Sequence, residues 1–540
     1  MLTNGVPYHH PFASMCIRLI SGYKPSMTGG IIQLVAYGVE DIFLTKDPQI
    51  TFFKVVYRRH TNFSNEFIPQ TFSHKPDFGK TISCTISRAG DLVYRMYLVI
   101  TLPKIPKFHK RNGSVDTLTV FSWVRRIGFA LIKSVEIEIG GQIIDKQYGD
   151  WMNIWYELTM VKDAGIKRMI GDVDKMYSMT SEKDQFILYI PLQFWFCRSS
   201  GLALPILALQ YHEVKLNITF NDADYCYNIS PTHFIKTDSN LSNLIPFEYI
   251  QQTINGITSY AQFIKFDNEE QKMYFNRISE QKFQSISHIG TLNDATIKTL
   301  VRDENNQKYI IKGMTSGHQL MPSINSVEIS SRSPIIRNLS LRTAFLLVEY
   351  IFLDDDERAR YGKENHEYLI EQVQYNGEKL IDSNFQSSRL GFKHPCKEIF
   401  FVLQKQINKI RNDHFNYTDG FRWEGDKLIG NNMIKSATIM MNGHARMAER
   451  NGEYYNNYHP YLFHTAGPTE GVNVYSMSLS PEKFQPTGSG NMSKIDNLSL
   501  DFLTTSDTGF SDPALLRVYA TNYNIFRISS GLSGMVFVDQ

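Results

Sequence analysis

Two His-Glu pairs, His212-Glu213 and His366-Glu367, come nearest to catalytic chemistry in this 540-residue sequence. On a helix, His-Glu followed after two intervening residues by a second His puts two imidazoles one turn apart to hold zinc, with the carboxylate as general base. Neither pair has the second imidazole: Val-Lys-Leu follows the first and Tyr-Leu-Ile the second. Both read as hydrogen-bonding groups at strand or helix ends. Asp354, Asp355, Asp356 and Glu357 offer oxygen ligands for a hard cation but lack the alternate spacing and internal glycine of a calcium loop. They read as the solvated start of a helix, where carboxylates meet the positive end of its dipole. "GSGNMS" (488–493) lacks the strand-then-helix setting of a phosphate cradle, and neither GxxxxGK[ST] nor a G-x-S-x-G elbow occurs. The expectation is a chain with no catalytic site, no metal site, no cofactor-binding site and no cofactor.

Five cysteines, at 16, 84, 197, 226 and 396, are odd in number and far apart, with no CxxC pair. That usage reads as reduced, mostly buried thiols in an intracellular setting. The densest basic cluster lies in "DPQITFFKVVYRRHTNF" (47–63), where Lys54, Arg58, Arg59 and His60 sit among large apolar side chains. Read as a strand, it turns Thr51, Phe53, Val55 and Tyr57 one way and Ile50, Phe52, Lys54, Val56 and Arg58 the other, so its charges interrupt and end the strand instead of making a basic stripe. Lys plus Arg total 56 against 54 Asp plus Glu, a net +2. No one-signed field of the kind that binds nucleic acid by displacing counterions is present.

The elements that must hold these residues are mainly strands. Apolar residues at 42%, with 35 Phe and 29 Tyr, suit pleated, half-buried surfaces. Residues alternate in "SVEIEIGG" (134–141), "KLNITF" (215–220) and "NLSLDF" (497–502), the period of a sheet with one buried face. Asn112-Gly113, Gly140-Gly141, Asn376-Gly377, Asn442-Gly443 and Asn451-Gly452 punctuate the chain as turns between antiparallel strands. Helical spacing is rare. In "DWMNIWYEL" (150–158) Asp150 is placed to cap a helix whose stripe is Trp151, Ile154, Trp155 and Leu158. "DDDERARYG" and "ENHEYLIEQ" (354–372) read as a short exposed helix and a connector. The longest apolar run, "AFLLVEYIFL" (344–353), contains Glu349 and is shorter than the roughly 18 residues a membrane span needs. One echo stands out: "KSVEIEIGGQ" (133–142) and "KSATIMMNGH" (435–444) share Lys-Ser, an alternating strand and a turn with glycine in the same place, as two copies of one large β unit would.

Longer segments resemble a known family. "GGIIQLVAYGVEDIFLTKDPQITFFKVVYRRHTNF" (29–63) is similar to the amino-terminal signature of the major capsid proteins of nucleocytoplasmic large DNA viruses, in their mimivirus-like and chlorella-virus-like branches. The similarity continues through "SVEIEIGGQIIDKQYGDWMNIWYEL", "IPLQFWFCRSSGLALPILALQYHEVKL", "VEYIFLDDDERARY" with "HEYLIEQ", "MNGHARMAERNGEYYNNYHPY", "VYSMSLSPEKFQPTGSGNMSKIDN" and "YATNYNIFRISSGLSGM", in family order from Gly29 to Met535.

The resemblance implies an all-β fold of two tandem eight-stranded antiparallel jelly rolls with a few short helices and long loops. It also implies a homotrimer with a pseudo-hexagonal outline that packs with neighbouring capsomers into an icosahedral shell. Penton and minor capsid proteins are the further partners, an internal membrane lies indirectly beneath, no specific nucleic acid is expected, and the shell is assembled in host cytoplasm. Mapped here, the first roll runs over 29–353, a linker over 354–365 and the second roll over 366–540. Residues 1–28 read as an extension ahead of the usual family start, or as an upstream misreading of the start codon. Between "HEVKLNITF" and "VEYIFLD" an insertion of about 221–341 stands where the resemblance implies a short loop on the outward face, so it is expected to decorate that face; loop closure costs only logarithmically with length. Two other functions fit the same residues: a minor or specialised capsid paralogue, and a virion-surface carbohydrate-binding β-sandwich stacking sugars on Tyr249, Tyr260 and Phe263. Balanced charge makes one outcome testable at once. In mobility-shift titrations between about 50 and 200 mM salt, affinity for duplex DNA should stay weak and change little, and a steep log–log salt slope would contradict this reading.

Overall fold

The computed structural model describes residues 29–538 except 111, 161–162, 239–242, 289, 291–292, 332–335, 337–338, 426 and 506–512. The extension expected over 1–28, with Cys16, lies outside the described residues. The chain divides into two compact units, one ending at Thr61 and one running from Asn62 onward. In the first, short helices Gly29–Val35 and Ile42–Thr45 are tied by Tyr37 Oη to Thr45 Oγ1 (2.8 Å) and by Gly38 N–H to Asp41 Oδ2 (2.7 Å). The strand expected across Ile50 to Arg58 does not form: residues 48–62 belong to no strand, and Phe53 and Val55 are 97% and 91% exposed. With apolar groups on both faces and no partner strand, alternation had no buried side to select.

Among the described residues of the second unit, sixteen strands build two pairs of sheets. The first eight are β1 (Phe63–Gln70), β2 (Thr81–Thr85), β3 (Leu92–Leu102), β4 (Ile132–Ile139), β5 (Gln142–Gln147), β6 (Phe186–Pro191), β7 (Val214–Phe220) and β8 (Thr343–Leu353). They form two antiparallel sheets, ordered β1-β8-β3-β6 and β2-β7-β4-β5. Residues from both sheets, among them Leu98, Leu188, Leu346, Ile137 and Leu216, share one core. The next eight are β9 (His366–Ile381), β10 (Phe385–Leu390), β11 (Pro395–Lys405), β12 (Ile434–Met441), β13 (His444–Ala445), β14 (Val472–Ser476), β15 (Leu498–Thr504) and β16 (Ala514–Ser529). Their sheets run β9-β16-β11-β14 and β10-β15-β12-β13. Adding eight to each number of the first pair of sheets reproduces the second. Each half is therefore a jelly roll, with paired sheets and crossing connections in the same order.

The echo between 133–142 and 435–444 falls on β4 and β12, equivalent strands of the two rolls, each followed by a tight turn into β5 or β13. Gly140 and Gly141 (φ +59° and +82°) and Asn442 and Gly443 (φ +50° and +80°) adopt the left-handed pair that such hairpins require. Asn376-Gly377 makes no turn; it sits in a bulge of β9 where the register slips between Tyr375 and Glu378. Likewise His366 to Gln372, read above as a connector, is the start of β9, while the exposed helix is confined to Asp355–Lys363.

In the sheet β9-β16-β11-β14, strands β16, β11 and β14 are buried on both faces, while edge strand β9 is only half-buried. Along β11, Ile399, Phe401 and Leu403 enter the second roll's own core, while Phe400 and Val402 join the first roll's cluster, together with Val472, Val474, Tyr519 and Phe526. Opposite them lies the helix Gly149–Thr159, whose stripe Trp151, Ile154, Trp155 and Leu158 is buried as its spacing predicts. Its N-cap is Tyr148, not Asp150; Asp150 lies in the first turn and pairs with Arg517 of β16. Polar groups bridge the same seam. Val373 N–H donates to Asp145 Oδ1 (2.9 Å), Thr469 N–H to Glu157 Oε2 (3.1 Å), and Ala466 N–H to Leu158 O (2.9 Å). Arg198 of the first roll lies 2.5 Å from Glu371, which also binds the fully buried Lys397 at 2.6 Å.

Inside the second roll the His464 ring stands between two carboxylates, Nε2 3.0 Å from Glu398 Oε1 and Nδ1 3.1 Å from Glu482 Oε1. Burial alone would lower its pKa, but the two carboxylates outweigh burial and raise it to about 9. Because the folded value exceeds the ordinary 6.5, the native state holds an extra proton between the two, and the pair's contribution is complete below about 6.5 and lost as pH rises through 9. Melting temperatures measured across this window should therefore fall further for the natural chain than for His464→Gln, and the two should converge at alkaline pH. Parallel curves would show that the imidazole is neutral in the folded chain.

Candidate assembly surfaces

The structure scatters the residues that could have done chemistry. His212 Nδ1 meets Ser533 Oγ (3.0 Å) and accepts from Ser533 N–H (3.1 Å), joining the β6–β7 connection to the carboxyl-terminal hairpin Leu532–Met535. His366 Nε2 lies 2.7 Å from Tyr361 O. Asp354 caps the helix Asp355–Lys363 by accepting from Glu357 N–H (2.9 Å). In "GSGNMS", Gly490-Asn491 adds a short ladder to Pro395-Cys396 and makes no phosphate cradle. Cys84, Cys197, Cys226 and Cys396 are free thiols, and burial pushes all four up, Cys84 to about 11 and Cys197 and Cys396 to about 12. Such thiols are poor nucleophiles at neutral pH. Among the described residues no group of three His, Cys, Asp or Glu side chains could hold a metal ion, and no helix is long and apolar enough to cross a membrane.

The charged residues that are brought together were invisible as a site in the sequence. Arg126 lies against Glu157 and Asp172 (3.2 Å), all three buried, with Asn153 Oδ1 at 2.7 Å. These groups come from three separated segments of the first roll, and no local spacing announces them. Arg126 is held by two carboxylates and an amide oxygen, all buried, so the cluster fixes the framework of the first roll.

What the molecule presents outward is surface for packing. Strand β1 is the free edge of its sheet, with Phe63 and Phe67 exposed by 56% and 44%. An exposed edge offers unpaired backbone donors and acceptors to another chain. The unit that ends at Thr61 exposes Leu34, Leu44, Phe52, Val56 and Tyr57 besides Phe53 and Val55, far more apolar surface than a finished soluble face carries.

The insertion between β7 and β8 forms a seven-stranded antiparallel sheet with its own small core, including Ile250, Phe263, Met273 and Phe275. This corrects the stacking-platform reading. Phe263 is buried in that core, and Tyr249 and Tyr260 pack on Phe421 of the second roll at 5.5 and 4.6 Å between ring centroids. Those rings anchor the insert to the second roll and, being only half-exposed, form no open platform.

Comparisons with known proteins agree with this architecture. Residues 51–267 match the family described as major capsid protein N-terminus, and residues 357–534 match the large eukaryotic DNA virus major capsid protein family. The chain is 40% identical over 519 residues to probable capsid protein 4 of Acanthamoeba polyphaga mimivirus, covering 95% of this chain and 99% of that one. It is 30% identical over 561 residues to the major capsid protein of Paramecium bursaria Chlorella virus 1, covering 95% and 100%. Among solved structures, VP54 of PBCV-1 superposes with a TM-score of 0.59 at 26% identity, over 91% of this chain and all of the other. The Faustovirus major capsid protein, at 13% identity, shares the fold with a TM-score of 0.63 over 96% and 97%. Two jelly rolls in tandem, outward packing surfaces and relatives that are structural shell proteins lead to one conclusion: the chain belongs to the major capsid proteins of large eukaryotic DNA viruses, a structural and non-enzymatic component of the virion shell.

Proposed function

We propose that three copies of this chain close into a pseudo-hexameric capsomer and that such capsomers tile an icosahedral shell. The observation that carries this reading is the repetition of sheet order, strand by strand, with an offset of eight. One chain thereby supplies two similar wedges, and three chains related by a threefold axis supply six near-equivalent sides. In this reading the rolls span 29–353 and 366–540 with 354–365 between them. Neighbouring capsomers, penton and minor capsid proteins meet the flanks, the insertion at 221–341 faces outward, and an internal membrane lies beneath.

The contact within the chain suggests the contact between chains. Edge strand β9 of the second roll docks on β5 of the first through Val373 to Asp145 and through Gln372 to Ile144 O. The equivalent edge of the first roll, β1, is exposed, and its equivalent docking strand on a second copy is β13. Repeating the internal contact across copies buries Phe63 and Phe67 and satisfies the free edge.

Light scattering on the purified full chain should give the mass of a trimer. Phe67→Asp should weaken association by about tenfold or more, about 1.4 kcal/mol, with an unchanged circular dichroism spectrum. A stable natural monomer at micromolar concentration would count decisively against the trimer. For the insertion, antibodies raised against residues 243–288 should label intact particles; labelling only after disruption would place the insert inside.

A further inference from the structure

Where the insertion meets both rolls, a cleft of about 900 Å³ opens. Its walls come from Ser122 to Arg125 and the helical turn Asp174–Tyr177 of the first roll, from insert strands including Tyr249–Ile254 and Lys272–Arg277, and from the β11–β12 connection between Ile407 and Trp423. That volume is in the range of small-molecule sites.

Three guanidinium groups border it, and two are already held. Arg125 donates to Gly425 O (2.8 Å) and lies between the rings of Tyr177 (3.7 Å) and Trp423 (4.2 Å). Arg277 donates to Ser279 O (3.1 Å) and Glu280 O (2.7 Å) and stands 3.5 Å from Glu328. Arg411 differs. Among the described residues its guanidinium makes no hydrogen bond and has no carboxylate within ion-pairing distance. The carboxylate two residues on, Asp413, is engaged by Trp423 Nε1 (3.2 Å) and Asn416 Nδ2 (2.9 Å). Burial weighs against the Arg411 charge, and Asp413 and the Tyr249 hydroxyl offset it only in part. Asp174, Glu280 and Asp413 also line the cleft, but none forms an ion pair with Arg411, and a half-buried cation whose charge is offset only in part is a standing electrostatic cost that an anion beside it would relieve.

The wall beside it is aromatic. Tyr249 packs on Phe421, its hydroxyl feels both Arg411 and Arg125, and Trp423 and Phe247 line the same wall. Flat apolar faces next to one unpaired guanidinium select a particular chemistry: a ring for the wall and an oxyanion for the cation.

We propose that this cleft binds a small organic anion, a flat ring bearing a phosphate, sulfate or carboxylate group, with the oxyanion on Arg411 and the ring against Tyr249 and Trp423. Because its walls belong to the insert and to both rolls, such a ligand staples all three together and stabilises the folded chain by mass action. The site is separate from the edges proposed for assembly, so it stands or falls independently of the trimer.

The test uses purified full-length chain and calorimetric titration with four probes: adenosine monophosphate and 2-naphthalenesulfonate as ringed anions, adenosine as a ring alone, and inorganic phosphate as an anion alone. One equivalent of at least one ringed anion should bind below about 1 mM, with neither half binding comparably. Arg411→Gln should weaken that binding by about tenfold or more, Arg411→Lys should recover part of it, and the ligand-free melting temperature of Arg411→Gln should not fall below that of the natural chain. If Arg411→Gln does not fold, hydrogen exchange on the natural chain decides: saturation should protect 247–251 and 406–423 and leave the rest unchanged. Binding by a nucleotide alone identifies the phosphate source, and binding by the naphthalene anion as well identifies the broader ringed-anion class. No binding by either ringed anion, equal binding by Arg411→Gln, or protection elsewhere overturns the proposal.

Discussion

Everything else in this molecule depends on one sheet being buried twice. The β9-β16-β11-β14 sheet closes the core of the second roll with one face and packs against the first roll with the other, so that residues one apart on β11 belong to different cores. A jelly roll that merely followed another on a linker would expose the outer face of that sheet to water. Here Phe400, Val402, Val472, Val474 and Phe526 are all buried against their neighbour. At roughly 25 cal/mol for each Å² of apolar area withdrawn from water, such a face makes separation of the rolls costly, and one rigid wedge pair replaces two tethered domains.

The polar groups in that seam set its register more than its strength. Paired charges out of water gain little net free energy, since desolvation opposes attraction, but removing one partner strands the other. Arg198 with Glu371 and Lys397, Asp150 with Arg517, and Glu157 with Arg126 and the Thr469 amide therefore penalise every offset except the observed one. Apolar burial supplies adhesion without direction, and the buried hydrogen bonds supply direction. A shell protein needs that rigidity, because an angular error between the two rolls would be repeated in every copy of the chain.

Much of the fold was legible because jelly-roll strands with one wet face must alternate. "KLNITF" and "NLSLDF" fall on β7 and β15, equivalent strands of the two rolls, and the repeated Lys-Ser motif falls on β4 and β12. What escaped was set by distant partners. The run Ile399–Leu403 in β11 is continuous rather than alternating because both faces are buried, a pattern that local reading cannot separate from a core helix, and in β14 the polar Asn473 is buried as fully as Val472 and Val474. Asn376-Gly377 looks like a hairpin turn, yet the pairing of β9 with β16 carries the strand straight through it. Tyr249, Tyr260 and Phe263 looked like an exposed platform because nothing near them in sequence reveals Phe421 or the insert's own core. The lack of catalytic motifs was readable from spacing alone, whereas the packing surfaces depend on which strand ends at a sheet edge.

The insertion shows how the scaffold absorbs change without losing that rigidity. It leaves the first roll after β7 and returns at β8, strands of different sheets that the first roll's core already holds in place. Cys226 and Leu341 at its two ends join the first roll's core and Tyr227–Ser230 pairs with Val120–Trp123, but its seven-stranded sheet folds around a core of its own. Beyond that ladder, the sheet is anchored by contacts at the surface: Tyr249 and Tyr260 on Phe421, and Lys265 Nζ on Thr117 Oγ1 at 3.1 Å. An element supported by surface contacts can vary in length and sequence while the twice-buried sheet stays fixed. In such a design variation collects in the connections, and the wedge geometry that lattice packing relies on is left intact.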